Sequence, residues 1–303
     1  MITRKFESRF RVFGQACHLV LNIENDNSGE ILGASEQEFR RIEAKFDSFD
    51  PQSLVGLINT RAGSGEFTPL DPESLSLFQY AEALWDQSKH IYDPTSYLIQ
   101  RYYAKGRNKS AHRSGLKDDL TRVGWQNIEI GEQGARLAIP GMQLNLNSCI
   151  RPYAVDCVRK LLLKYGVKNA LIDLDKDVAT IGKQGDGANW LVGVRYPDGS
   201  RTAIERFKLN NKAYAIRGNF ENALQIDGER FSRALSPIDG QPIPGLLGVA
   251  VIADTCLTAS GAASVARMKT QNNALKWLDE LGLHWLAIDR NFKCHGPVLG
   301  NAR

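Results

Sequence analysis

The sequence predicts an α+β fold of mixed layers, and three observations carry that reading. Residues 153–165 place Val155, Val158, Leu161, Leu162 and Tyr165 on one helical stripe, and Gly166 supplies the stop. Residues 170–174 follow at once as a short apolar run of strand length. The runs Asn127–Ile130 and Arg136–Ile139 flank a glycine-bounded turn at 131–134, which is a hairpin pattern.

The other elements follow in order. Phe10–Ile23 reads as a strand with Gly14 in its path, and residues 25–29 are turn chemistry. Ser35–Phe46 predicts a helix, with Ser35 as N-cap and Glu38 completing a capping box. Its apolar face carries Phe39, Ile42 and Phe46, and Asp50-Pro51 ends the segment. Pro72–His90 is a second helix with Leu75, Phe78, Ala81, Leu84 and Trp85 at helical spacing. Lys105–Lys117 is polar and reads as a loop. Leu191–Tyr196, Tyr214–Arg217 and Leu247–Ile252 are strands, Ala259–Met268 and Ala274–Leu281 are helices, and His284–Ile288 is a last strand. With no repeat and no linker, residues 1–303 read as one domain.

Composition excludes several classes. The chain is 43% hydrophobic and 24% charged, with a net charge of +4, which is ordinary for a globular protein. Arg101–Arg113 is the densest basic stretch and has Tyr102 and Tyr103 beside it, but it reads as a solvated loop, so no nucleic-acid partner is expected. The five cysteines form no C-x-x-C pair and fit reduced thiols in a cytoplasmic protein. Ser148-Cys149 precedes a helix, but no G-x-S-x-G elbow is present, and Cys149 reads as a buried small hydrophobe. The five histidines make no metal-binding pair. Residues 1–11 lack an apolar core of the secretory kind, and no run is long enough to span a membrane, so a cytoplasmic location is expected.

Several motifs stand in a telling order. Phe49-Asp50-Pro51 precedes Leu57-Ile58-Asn59, and Tyr92-Asp93-Pro94-Thr95 follows a long helix. Val123-Gly124-Trp125-Gln126 comes next, then a segment from Leu144 that ends in Tyr153-Ala154-Val155-Asp156. Later come Gly166–Asp177, residues 215–221, residues 226–242 and residues 249–264. Taken together over residues 12–290, these resemble the flavin transferase family called FAD:protein FMN transferase, or ApbE. The resemblance implies an ApbE-like mixed layer fold with predominantly antiparallel sheets and packed helices. It also implies a protein that binds FAD and, with Mg²⁺, transfers the FMN half onto a Ser or Thr hydroxyl of an acceptor flavoprotein, releasing AMP. Attack on a pyrophosphate phosphorus needs charge neutralisation and positioning.

The departures from the family pattern sit on that chemistry. The family's metal-binding Asp falls at Ser260 and its Thr at Ser264. Hard cations want carboxylate charge, so Mg²⁺ is doubtful here. The family Lys falls at Arg151, with Pro152 replacing the next Gly; a Ser falls at Arg217 and a His at Arg233. Arginine binds phosphate through a planar fork. One reading is that Arg151, Arg217 and Arg233 replace the metal as the phosphate-neutralising charge; the other is that these side chains are solvated surface. Pro152 opening the helix would aim its amide-lined end at the phosphates.

The remaining site expectations rest on the same resemblance. Arg151 and Asp177 are the candidate catalytic residues, and Phe13, Phe49, Arg151, Asp156, Arg217 and Arg233 the candidate FAD contacts. Phe13 and Phe49 could bracket the flavin ring, or be core. Asp156 suits a helix start and has a structural reading too. Asp173, Asp175 and Asp177 alternate, so on one strand they would share a face. Three functions stay open: a transferase with a modified site, a flavin-binding partner protein without catalysis, and a different metal-independent enzyme acting on an anionic substrate.

Overall fold

The computed structural model describes residues 4–24, 27–103, 113–195, 203–218, 223–226 and 228–297. The chain opens with a hairpin of β1 (Arg4–Val12) and β2 (Gln15–Ile23). It turns at Phe13 and Gly14, both with positive φ (52° and 68°). Two left-handed residues give the two-residue turn whose twist matches the strands. The single strand expected over 10–23 is therefore two, because Gly14 marks a reversal.

Helices α1 (Ser28–Phe46), α2 (Leu54–Thr60), α3 (Pro72–Gln87), α4 (Tyr97–Gln100) and α5 (Arg113–Leu120) follow. A small hairpin of β3 (Ile128–Gly131) and β4 (Gly134–Leu137) leads to α6 (Asn147–Lys164). Then come β5 (Ala170–Leu174), β6 (Asp177–Ile181), β7 (Trp190–Arg195), β8 (Ala203–Leu209) and β9 (Ala213–Gly218). The chain continues through β10 (Leu224–Ile226), β11 (Glu229–Phe231), β12 (Gly248–Ala253), α7 (Cys256–Arg267), α8 (Gln271–Glu280), β13 (His284–Ile288) and β14 (Cys294–His295).

Eight strands form one sheet in the order β1-β2-β5-β6-β9-β12-β13-β14. Every pairing in it is antiparallel. Alternation sorts the side chains to two faces. On one face Leu19, Leu21, Ile172, Leu174 and Ala179 pack on Phe39, Ile42, Val155 and Val158 of α1 and α6. Ala215, Val249 and Val251 continue that face onto the small residues Ala259, Ala263 and Ala266 of α7. On the other face Val20, Val178, Tyr214 and Leu286 meet Trp190, Val194 and Phe207 of the β7–β8 hairpin. The layers are helices, sheet and a covering ribbon, as the α+β reading expects. Among the described residues no helix is long and apolar enough to cross a membrane.

Three local expectations are corrected. Helix α1 starts at Ser28, so Ser35 lies inside it; its hydroxyl donates back to the Ile31 carbonyl (2.8 Å) and caps nothing. Of the loop expected over 105–117, residues 105–112 lie outside the described residues, while Arg113 onward is helical. Asp173, Asp175 and Asp177 do not share a strand: Asp175 (φ 58°) and Lys176 are the turn between β5 and β6, where Leu174 pairs with Asp177.

One surface network ties the helices together. Glu73 of α3 receives hydrogen bonds from Arg41 (2.7 Å) and Lys45 (2.6 Å) of α1 and from the Tyr153 hydroxyl of α6 (2.8 Å). Arg41 foremost, with Lys45 and Tyr153, pulls the Glu73 carboxyl from 4.5 to about 2 against the effect of burial. Lys45 does the same to Asp71, from 3.8 to about 2. A depressed folded-state pKa gives stability that is complete above the unfolded value and lost as pH falls through the folded one. Acid unfolding followed by circular dichroism should therefore show stability declining below pH 4.5 and towards pH 2. Glu73→Gln should flatten that limb; an unchanged acid limb would remove Glu73 as its source.

Candidate anion and flavin site

The centre of the site is Arg217, near the end of β9 and only 7% exposed. In the sheet Asp177 pairs with Ala215, so Arg217 is two residues along and its side chain leaves on the same helix-covered face. Its Nη2 donates to Asp177 Oδ1 (2.6 Å) and to Ser260 Oγ of α7 (2.5 Å), and Nη1 donates to the Ile216 carbonyl (3.0 Å). Burial works against the Arg217 charge, but the Asp177 carboxylate outweighs it, so the guanidinium is held above its usual range. The next residue, Gly218, has φ +128°, and a Cβ there would lie 2.2 Å from the Leu247 carbonyl oxygen. Only glycine lets β9 end so close to the chain entering β12.

Ser260 has a second partner that traces to the sequence. Pro152 lies inside α6 and not at its start, because the helix already begins at Asn147. Proline has no N–H, so the Ser148 carbonyl loses its helical donor. The Ser260 hydroxyl donates to that carbonyl instead (3.3 Å). The Pro152 position therefore links α6 to α7, and the helix N-terminus expected at Tyr153 sits five residues earlier in the helix than Pro152 itself.

Arg151 of α6 joins Arg217. Its Nε donates to the Asn147 carbonyl (3.3 Å), and burial first, then Arg217, pushes its pKa down. Two cations not singled out in the sequence complete the group. Lys176, in the β5–β6 turn, donates to the Gly218 carbonyl (3.0 Å). Burial, opposed by Asp175, lowers its pKa, with Arg267, Arg217 and Arg151 all contributing. Arg267 ends α7, and burial and Arg217 push its pKa down to about 10. A readable signal existed for Arg267: Ser260, Ser264 and Arg267 are spaced i, i+4, i+7, one face of a helix. Asp177 is the one carboxylate ion-paired to this group among the described residues.

Asp156 holds α7 in place. Its two oxygens accept the Cys256 and Leu257 backbone N–H groups, each at 2.8 Å. Unsatisfied amides at a helix start favour such a carboxylate. Burial nonetheless raises the Asp156 pKa, with the two amides opposing. Both oxygens are thus engaged in positioning the helix that carries Ser260, Ser264 and Arg267. Cys149 is fully buried against the Tyr92 hydroxyl (3.2 Å), and burial pushes its thiol up to about 11, far from a neutral-pH nucleophile.

Aromatic surface lies beside a second region. Phe49 is 63% exposed and meets Tyr97 edge-on at 5.5 Å between centroids. Together with Asn59, Gln143 and Asn145 they line a cavity of about 450 Å³. Its floor is pinned by Asn59, which accepts from the Leu144 N–H (2.7 Å) and donates to the Leu144 carbonyl (3.0 Å). Tyr97 and Gln143 also line an adjoining cavity of about 330 Å³, and Arg233 and Arg101 stand in that wall. Arg233 donates to the Tyr103 carbonyl (3.5 Å) there, so it lines the aromatic groove, while Arg267 and Lys176 accompany Arg151 and Arg217. Phe13 sits in the β1–β2 turn, packed on the core, with its N–H bonded to Glu43. It is not among the residues lining either cavity.

Ser260 and Ser264, which the resemblance sets at metal positions, do not fit a divalent cation. Ser260 and Ser264 offer neutral hydroxyls, and Ser260 already receives the Arg217 guanidinium. Asp177, the nearby carboxylate, is bound to the same guanidinium. A guanidinium cannot ligate a cation and repels one at contact distance.

Comparison with known proteins agrees on the fold and the family pattern. The ApbE family's sequence profile matches residues 13–287. The FAD:protein FMN transferase of Klebsiella pneumoniae (strain 342) is 29% identical over 146 residues, 46% of this chain and 42% of that protein. The matched part thus spans less than half of that relative's length. The Haemophilus influenzae FAD:protein FMN transferase is 21% identical over 281 residues, 87% of this chain and 81% of its own. Among solved structures, the ApbE protein of Thermotoga maritima superposes with a TM-score of 0.83 at 23% identity, covering 97% of both chains. The flavin transferase ApbE of Vibrio cholerae gives 0.85 at 17% identity, again over 97% of both. At such identities the superpositions establish the shared fold.

Proposed function

We propose, since this chain belongs to the ApbE family, that it binds FAD and neutralises the phosphates with arginine in place of Mg²⁺. The observation that carries this is the Arg217 guanidinium lodged between Asp177 and Ser260, where a metal-using site needs ligands. The exposed Phe49–Tyr97 pair offers a surface on which a flavin ring can stack. Arg151 and Arg217 supply planar donor forks for phosphate oxygens.

The reaction that follows from this ligand is FMN transfer to a Ser or Thr hydroxyl of an acceptor flavoprotein. A new O–P bond forms at the FMN phosphorus, the bond to the AMP oxygen breaks, and the hydroxyl proton passes to solvent or to a base. This reading assigns the base to Asp177; its burial and its pairing with Arg217 favour a second reading, in which the chain binds flavin without transferring it.

The test is calorimetric titration with FAD in EDTA and then in Mg²⁺, followed by incubation with FAD and a Ser/Thr acceptor flavoprotein and in-gel flavin fluorescence. Equal binding in EDTA and Mg²⁺ is expected. Binding that disappears with EDTA and returns with Mg²⁺ would overturn the arginine reading, and no binding in either would remove flavin as the ligand. Covalent flavin on the acceptor decides for transfer, and its absence beside intact binding decides for the second reading.

A further inference from the structure

Ile238 is 74% exposed, more than any other large apolar side chain among the described residues. A lone exposed apolar residue is ordinary, but the turn that presents this one is firmly held. The Ser236 N–H donates to the Gln241 carbonyl and the Gly240 N–H to the Ser236 carbonyl, both at 2.8 Å, and the Ile243 N–H donates to the Ala234 carbonyl (2.9 Å). The Ser236 hydroxyl accepts the Ile238 N–H (3.3 Å), and the Asp239 carboxylate accepts the Gln241 N–H (3.0 Å). A turn fixed in this way has little conformational freedom left to lose on binding.

Pro237 and Ile238 border a cavity of about 500 Å³ whose wall includes Trp85 and His90, stacked at 3.7 Å between centroids. Lys89 lines that cavity and also a second one of about 390 Å³, which it shares with Lys269, Lys276 and Trp277. The common lysine joins the two into one groove. Its charge is uneven. Lys276 has Glu280 at 3.8 Å, whereas neither Lys89 nor Lys269 has an ion-pair partner among the described residues. The buried carboxylate in the wall, Asp93, is taken up by the Thr95 and Trp125 N–H groups (2.8 and 2.9 Å). The groove therefore offers uncompensated cations beside an aliphatic anchor, which is complementary to an acidic segment carrying an apolar residue. Nucleic acid fits less well, because it needs open ring faces for its bases. His90 covers Trp85, Lys269 Nζ stands 5.5 Å from the Trp277 ring centroid, and both rings pack on the core.

The groove also backs onto the flavin region. Tyr97, Arg233 and Leu235 line the aromatic cavity, while Asp93, Pro237 and Ile238, from the same two segments, line this one. We propose that the groove docks an acidic segment of the acceptor protein, with Lys89 and Lys269 meeting its carboxylates and Ile238 meeting an apolar side chain beside them. The identity of the partner rests on the transferase reading; the groove's preference for acidic peptide does not. A protein held there is set against the back of the segments that form the aromatic cavity.

The first probe is a fluorescein-labelled oligoglutamate peptide ending in leucine, followed by fluorescence anisotropy with the full chain, with oligolysine and oligothymidylate as counterparts. Oligoglutamate should bind, more weakly as ionic strength rises. Exposed ion pairs are individually weak, so Lys89→Gln with Lys269→Gln should weaken it by roughly 2- to 30-fold. Ile238→Ser should weaken it as well. FAD affinity should be the same in every variant, which shows that each is folded. With a Ser/Thr acceptor flavoprotein, the double lysine variant should raise the KM for acceptor while kcat and the KM for FAD hold. No oligoglutamate binding, binding indifferent to these substitutions, or preference for oligolysine or oligothymidylate would overturn the proposal. FMN transfer whose acceptor KM ignores the lysines would also overturn it and leave the transferase reading standing. Lysine-dependent oligoglutamate binding in a chain that transfers no FMN would sustain the groove and remove the transferase reading.

Discussion

Arg217→Met should destabilise the protein by about 3–5 kcal/mol, the usual cost of removing one partner from a buried ion pair. The side chain is 8% exposed and its partner Asp177 1% exposed, so the carboxylate left behind has little access to water. Ser260 also loses the donor that now reaches it at 2.5 Å. Adding Asp177→Asn should recover a large part of the loss, because a neutral amide can stay buried at lower cost than an unpaired charge. Urea denaturation of the parent, both single variants and the double variant gives the coupling directly. If the two substitutions simply add, the pair is not the source of the stability assigned to it.

The second large effect concerns cations. Combining Arg217→Ser with Ser260→Asp removes the guanidinium and places a carboxylate opposite Asp177, one helical turn from the Ser264 hydroxyl. Oxygen donors with anionic charge are what Mg²⁺ needs. The parent should melt at the same temperature with and without Mg²⁺, and the double variant should gain a Mg²⁺-dependent rise. At a free concentration one hundred times Kd, the gain amounts to about 2.7 kcal/mol. A parent that is itself stabilised by Mg²⁺, or a double variant that never responds, would show that Arg217 does not stand in for a metal.

Much of the fold was legible because its elements are locally consistent. Of the expected stripe Val155, Val158 and Leu162 are buried, Leu161 is half-buried, and Tyr165 is exposed because the helix has ended there as its C-cap; His284–Ile288 is a strand with the bounds read from sequence. The misreadings share one cause, namely that a residue with two uses looks the same in either. Ser35 is a good N-cap, yet its hydroxyl bonds inside α1. Pro152 favours a first turn, yet it lies within α6 because Ser260 takes up the freed carbonyl. That compensation comes from a residue more than a hundred positions away, beyond any local pattern.

The site divides in the same way. The Tyr92–Thr95 and Val123–Gln126 motifs were visible, but not their contact. Asp93 accepts the Trp125 N–H (2.9 Å), and Thr95 accepts the Gly124 N–H (2.7 Å). Arg151 and Arg217 were singled out by where they fall in the family pattern, and the Arg217 charge acts with burial to lower the Arg151 pKa. Arg267 replaced nothing noted in the pattern, so only its periodicity with Ser260 could have drawn attention to it. Arg233 was grouped with the others by charge, whereas its strand-end loop places it in the aromatic groove.

The order of strands also bears on how the chain acquires its charged centre. β2 pairs with β5, joining residue 17 to residue 174, and helices α1 to α6 all lie between them. Contacts of such long sequence separation close slowly, because the loop entropy is lost before the contact repays it. Asp177 and Arg217 meet two seams further along that sheet, where β6 lies against β9. Their own pairing spans 40 residues and waits only on β9. A nascent chain halted before β9 carries Asp177, buried in the finished protein, without the guanidinium that pairs with it.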